Sequence, residues 1–144
     1  MPPMGICWMS KYKAFSLPIR VYFQDTDAGG VVYHASYVNF MERARTEWLR
    51  ERYGYSNAGL MREFGVVFVV RSLRLDYFKP ALLDDLLEVT AQIKDIGRSR
   101  LTLLQNVRRG DEVLAEGEVH LVCVSVESFK PVSVPEVLRK QWKV

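Results

Sequence analysis

Hydrophobic and polar positions alternate with period two over most of this chain and switch to a helical period in one long stretch. From Phe15 to Phe23, Leu17, Ile19, Val21 and Phe23 alternate with Pro18, Arg20 and Tyr22, which predicts a half-buried first strand. Pro18 is tolerable near the start of such a strand or at a sheet edge. From Ser36 the period changes, and Tyr37, Phe40, Met41, Ala44, Trp48 and Leu49 fall on one helical stripe. Ser36 is placed to act as its N-cap, Gly54 as its C-terminal cap, and Arg43 with Glu47 as an i,i+4 pair. A short second helix is expected over Asn57 to Phe64, ending at Gly65.

The period of two then returns. Val67, Val69, Arg71, Leu73, Leu75 and Tyr77 form one alternating set that stops before Pro80. Leu87, Val89, Ala91 and Ile93 alternate with Glu88, Thr90, Gln92 and Lys94. Turns at Gly97-Arg98-Ser99 and Arg109-Gly110-Asp111 separate this strand from Leu101–Arg109 and from a long final strand over Val113–Val126. Gly117 inside that last strand predicts a bulge or a close backbone approach. A short helix over Pro135 to Gln141 is expected to close the chain. The order is strand, helix, then four strands joined by short turns. It predicts an α+β domain in which an antiparallel sheet wraps one long apolar helix. A single sheet leaves edges free, so self-association by strand pairing is plausible.

Composition narrows the class without naming it. The 144 residues suit one domain, with residues 1–14 as a flexible extension and 15–144 as the folded unit. Apolar content of 49% and charged content of 26% are ordinary for a globular protein. Basic residues are interleaved with acids, and no aromatic-basic platform stands out, which argues against nucleic acid. No apolar run is long enough to span a membrane, and the N-terminal stretch lacks a signal-peptide pattern. Cys7 and Cys123 make no disulfide framework, so a reducing, cytoplasmic setting is expected.

Candidate chemistry concentrates between the first strand and the long helix. The run Asp25-Thr26-Asp27-Ala28-Gly29-Gly30-Val31-Val32-Tyr33-His34 holds two carboxylates, two glycines and a histidine. It leads into a helix carrying Glu42-Arg43-Ala44-Arg45. The glycines let the backbone turn, and Val31-Val32 anchor the far side. Elsewhere the chain lacks a Gly-x-Ser-x-Gly elbow, a hydroxyl or thiol nucleophile beside a base, and a His/Cys cluster with metal-ligand spacing. A carboxylate beside a helix N-terminus remains. Asp25 reads as a turn-forming acceptor, His120 as an ordinary strand residue, and Tyr37, Phe40 and Trp48 as core.

The Asp25–Tyr37 run, with Glu42-Arg43-Ala44-Arg45, Phe68-Val69-Val70-Arg71 and Tyr77-Phe78-Lys79-Pro80-Ala81, closely resembles the hot-dog fold acyl-CoA thioesterases. More narrowly it is similar to the Tol–Pal-associated bacterial subfamily, within a group that includes hydroxybenzoyl-CoA thioesterase. The resemblance implies hydrolysis of acyl thioesters without a cofactor, coenzyme A being part of the substrate. It places the catalytic carboxylate at Asp27, as general base toward water or as nucleophile. It places the oxyanion donor at the backbone N–H of His34, with the His34 side chain also in the site. Tyr33 would shape the pocket, and Glu42 would line it across a dimer. Arg98 and Arg100 would meet coenzyme A phosphates, with Lys79 and Arg71 as weaker candidates. It also implies a dimer or dimer of dimers, and acyl-CoA or an acyl carrier protein thioester as partner. Two other readings stay open: a dehydratase or hydratase of acyl thioesters, and a non-catalytic acyl-carrier or cell-envelope adaptor.

Overall fold

The computed structural model describes residues 14–142. The expected N-terminal extension, apart from Ala14, and Cys7 lie outside the described residues. Strand β1 (Phe15–Arg20) precedes helix α1 (Ser36–Tyr53) and the short helix α2 (Asn57–Phe64). Strands β2 (Val66–Tyr77), β3 (Leu86–Ile96), β4 (Arg100–Arg109) and β5 (Glu112–Ser125) follow, then helix α3 (Glu136–Trp142). The strands form one antiparallel sheet in the order β1-β3-β4-β5-β2.

The sheet curls around α1. Phe40, Met41, Ala44 and Trp48 of the helix are buried against Ile93, Leu101, Leu103, Val107, Ala115, Val119 and Leu121 of the inner sheet face. Gly117 makes room for a helix side chain. A Cβ at that position would collide with the Met41 side chain, so close approach rather than a bulge is its role. Buried Gln105 ties the layers with polar bonds, its Nε2 donating to the Met41 carbonyl at 2.9 Å and the Thr90 carbonyl at 3.2 Å. Trp142 of α3 stacks on Trp48 with centroids 5.7 Å apart and closes the far end of the core.

Four local expectations change. The first strand ends at Arg20, because the Asp25 carboxylate accepts the Tyr22 N–H at 2.8 Å and turns Phe23–Asp25 into one turn of 3-10 helix. Ser36 is not the helix cap. It is the first helical residue, with Ala35 in the cap position, and its hydroxyl donates to the Asp25 carbonyl at 3.3 Å. Glu47 pairs with Arg50 at 2.6 Å instead of with Arg43. The alternating set in β2 changes phase. A register shift between Val70 and Ser72 puts Val66 and Phe68 on the core side before it and Leu73 and Leu75 after it. One extra residue in a strand swaps the faces of all that follow. Gly54 and Gly65 end their helices in the left-handed conformation, as expected.

The two sheet edges differ. Strand β1 is six residues long and contains Pro18, which offers no N–H. Strand β2 is 12 residues long, contains no proline, and pairs only with β5 among the described residues.

Candidate active site

The loop between β1 and α1 is a tight hairpin tip standing on a buried shoulder. At the tip, Asp27 N–H donates to the Val31 carbonyl at 2.9 Å and Gly30 N–H to the Asp27 carbonyl at 3.1 Å. Gly30 has φ of 83°, the left-handed residue that such a three-residue turn requires. The Asp27 carboxylate stays exposed and, among the described residues, accepts a single bond, from Gly29 N–H to Oδ1 at 2.8 Å. The shoulder is different. Asp25 is 8% exposed, its carboxylate caps the turn at Tyr22, and its carbonyl accepts from Tyr33 N–H at 2.9 Å. That bond and the one from Ser36 fasten the loop to the start of α1.

A second fastening comes from the connector between β2 and β3. Val32 N–H donates to the Ala81 carbonyl at 2.9 Å, and Val31 bridges Leu82. Ala81 N–H in turn donates to the buried Tyr37 hydroxyl at 3.0 Å. Arg109 holds the same connector from behind, donating to the Asp85 carboxylate at 2.7 Å and to the Pro80 carbonyl at 3.3 Å.

His34 lies at the helix entrance, exposed, with its ring 4.4 Å from that of Tyr33. The N–H groups of His34 and Ala35 take no hydrogen-bond partner among the described residues. Ala35 holds the cap position and His34 precedes it, at the end of α1 that carries the positive pole of the helix dipole. A cleft of about 230 Å³ opens here, lined by Val32, His34, Tyr37, Tyr77, Phe78, Lys79 and Pro80. The Tyr77 hydroxyl donates to the His34 carbonyl at 2.7 Å, and burial, with a smaller contribution from Tyr37, raises the Tyr77 phenol above its usual range.

The other expected residues are spread out. Glu42 lies farther along α1, beside a cavity of about 200 Å³ that also touches Arg45, Trp48, Phe68, Val70 and Leu103. Burial lowers the Arg45 guanidinium while Glu42 opposes that shift, and Arg45 donates to Gln105 at 3.1 Å. Arg98 and Arg100 follow the far end of β3, whose 11 residues separate them from the Asp27 loop by about 30 Å within one chain. Arg100 instead meets Arg71, Ser72, Thr102 and His120 around a groove of about 330 Å³. Lys79 is engaged by Glu112 at 2.7 Å. His120 lies 3.1 Å from the Thr102 hydroxyl and 3.1 Å from the Glu118 carboxylate. Cys123 is buried, and burial pushes its thiol up to about 11, so little thiolate is present near neutral pH. Tyr77 is the site residue missed. Its place after Leu73 and Leu75, on the helix-facing side of β2 and just before Pro80, was the available clue.

A five-stranded antiparallel sheet around one helix, with a carboxylate turn at the helix entrance, defines the hot-dog thioesterase class. Residues 21–142 match the thioesterase-like superfamily, and the chain belongs to that family. It is 45% identical over 130 residues to the acyl-CoA thioester hydrolase YbgC of Escherichia coli O157:H7, spanning 90% of this chain and 96% of that protein. It is 42% identical to the acyl-CoA thioesterase YbgC of Haemophilus influenzae, over 87% of this chain and 91% of that protein. Among solved structures, a probable thioesterase from Bartonella henselae superposes with a TM-score of 0.81 at 34% identity, over 85% of this chain and 99% of that one.

Proposed function

We propose that this thioesterase hydrolyses acyl-CoA, with the Asp27 carboxylate as general base or nucleophile and the N–H groups at the start of α1 as the oxyanion donors. The observation that carries the reading is the pairing of an exposed carboxylate on a hydrogen-bonded turn with N–H groups at the adjoining helix entrance that have no partner among the described residues. Thioester hydrolysis needs a nucleophile or base on one side of the carbonyl and positive dipoles on the other. His34 and Tyr33 flank the approach to those donors.

The working site is composed from two copies. Strand β2 presents a long edge that pairs with no further strand among the described residues. Antiparallel pairing with β2 of a second copy would lay the Tyr77 end of one beside the Val66 end of the other. Asp27 of one chain would then lie near the cavity touched by Glu42, Phe68 and Val70 of its partner, and near that partner's copies of Arg71, Arg98 and Arg100. The first group would receive the acyl chain and the second the coenzyme A phosphates. A dimer of such dimers, an acyl carrier protein thioester as substrate, a cytoplasmic location and a link to Tol–Pal belong to the same proposal.

The test is a thiol-release screen over acyl-CoA chain lengths, with product analysis for enoyl thioesters. Free thiol with the matching acid supports hydrolysis; enoyl product without thiol would favour the hydratase alternative, and neither would favour the adaptor. The shared site has its own test. Asp27→Asn chains mixed with Arg71→Glu/Arg100→Glu chains should recover roughly a quarter of wild-type sites if each site draws on both chains of a two-fold dimer. No recovery on mixing counts against that arrangement.

A further inference from the structure

Two peptide planes flank His34. The plane before it carries the Tyr33 carbonyl and the His34 N–H, and that carbonyl accepts from Ser36 N–H at 2.8 Å. The plane after it carries the His34 carbonyl and the Ala35 N–H, and that carbonyl accepts from the Tyr77 hydroxyl at 2.7 Å. A peptide unit is planar, with its N–H opposed to its carbonyl, so holding the oxygen also aims the hydrogen. The helix backbone therefore aims the first donor, and a side chain from β2 aims the second.

Tyr77 is itself well held. Its ring meets that of Tyr37 edge-on at 5.1 Å and 85°, and Tyr37 is 2% exposed. The Tyr37 hydroxyl is engaged by Ala81 N–H, in the connector that also carries the Asp27 loop. The hydrogen bond has a second effect. A donor on a peptide carbonyl polarises the N–H of the same peptide, which strengthens that N–H as a donor in turn.

We propose that Tyr77 is a positioning residue for thioester hydrolysis: from the end of β2 it fixes and polarises the His34–Ala35 peptide, so that the Ala35 N–H joins the His34 N–H as an oxyanion donor. The proposal rests on the reading that the start of α1 receives the carbonyl oxygen. The Tyr77 hydroxyl acts through the backbone.

Tyr77→Phe removes only the hydroxyl and keeps the ring on Tyr37, so the fold should survive. The expected result is a fall in kcat of about tenfold, with KM within about twofold, since a donor slightly misaimed loses transition-state binding. A purely structural role would give a similar loss only through instability, so a second measurement is needed. A hydrolysis-inert ketone analogue of acyl-CoA, with a methylene in place of the thioester sulfur and a ¹³C carbonyl, reports donor strength by its infrared stretch. In the wild-type protein the bound band should lie below its solution frequency, and Tyr77→Phe should move it part of the way back. An unchanged kcat, or a lowered kcat with the band unmoved, overturns the proposal while leaving the helix-entrance reading intact. A wild-type band at its solution frequency overturns that reading, and the role of Tyr77 with it.

Discussion

The shoulder and the tip of the β1–α1 loop carry one aspartate each, two positions apart, under opposite conditions. Asp25 at the shoulder is buried, and both its carboxylate and its carbonyl hold other parts of the chain. Asp27 at the tip is exposed, and its carboxylate accepts one local N–H. The contrast separates architecture from chemistry within a single loop. Each carboxylate accepts one N–H among the described residues, so burial separates them: the Asp25 carboxylate is closed off from a substrate carbonyl and the Asp27 carboxylate is open. A carboxylate on a turn with no support would lack a defined aim. Here the shoulder supplies the aim and the tip keeps its carboxylate exposed.

Substitutions can break this contrast at either end. The largest effect is expected from Asp27→Asn, which preserves the Gly29 bond through its amide oxygen. Turnover should fall by about a hundredfold or more, as for loss of a general base, with an unchanged unfolding midpoint. Near-normal thiol release from that variant would remove the tip carboxylate from the mechanism. Asp25→Ala should do the reverse. Losing a buried, hydrogen-bonded cap should lower stability by about 1–3 kcal/mol, read as a shift in urea midpoint, with turnover per folded molecule far less affected than in the Asp27 variant. Gly30→Ala tests the tip's geometry and should cost about 1–2 kcal/mol, because an L side chain resists a left-handed backbone. Ser36→Ala should have the smallest effect, about 0.5–1.5 kcal/mol, since it deletes one bond from shoulder to helix; thermal melts would show it.

Much of this was readable from residue order. The alternation of Leu87, Val89, Ala91 and Ile93, the stripe from Tyr37 to Leu49, and the turns at Gly97 and Gly110 gave the strands, the helix and the antiparallel order. The Asp25–His34 run located the candidate site. Other features depend on contacts that sequence periodicity does not encode. The phase change in β2 follows from a bulge beside Arg71, and no glycine marks it. Ser36 has the chemistry of a cap, yet its hydroxyl is drawn to a carbonyl 11 positions earlier. The role of Tyr77 depends on a partner 43 positions away. The separation of Arg98 and Arg100 from Asp27 within one chain is set by the length of β3.

The missing side chain of Gly117 is the berth of another: the tip of Met41 occupies the space a Cβ would take. A methyl group at residue 117 would first evict that tip into a full core, and a shorter residue at position 41 is the repair to look for.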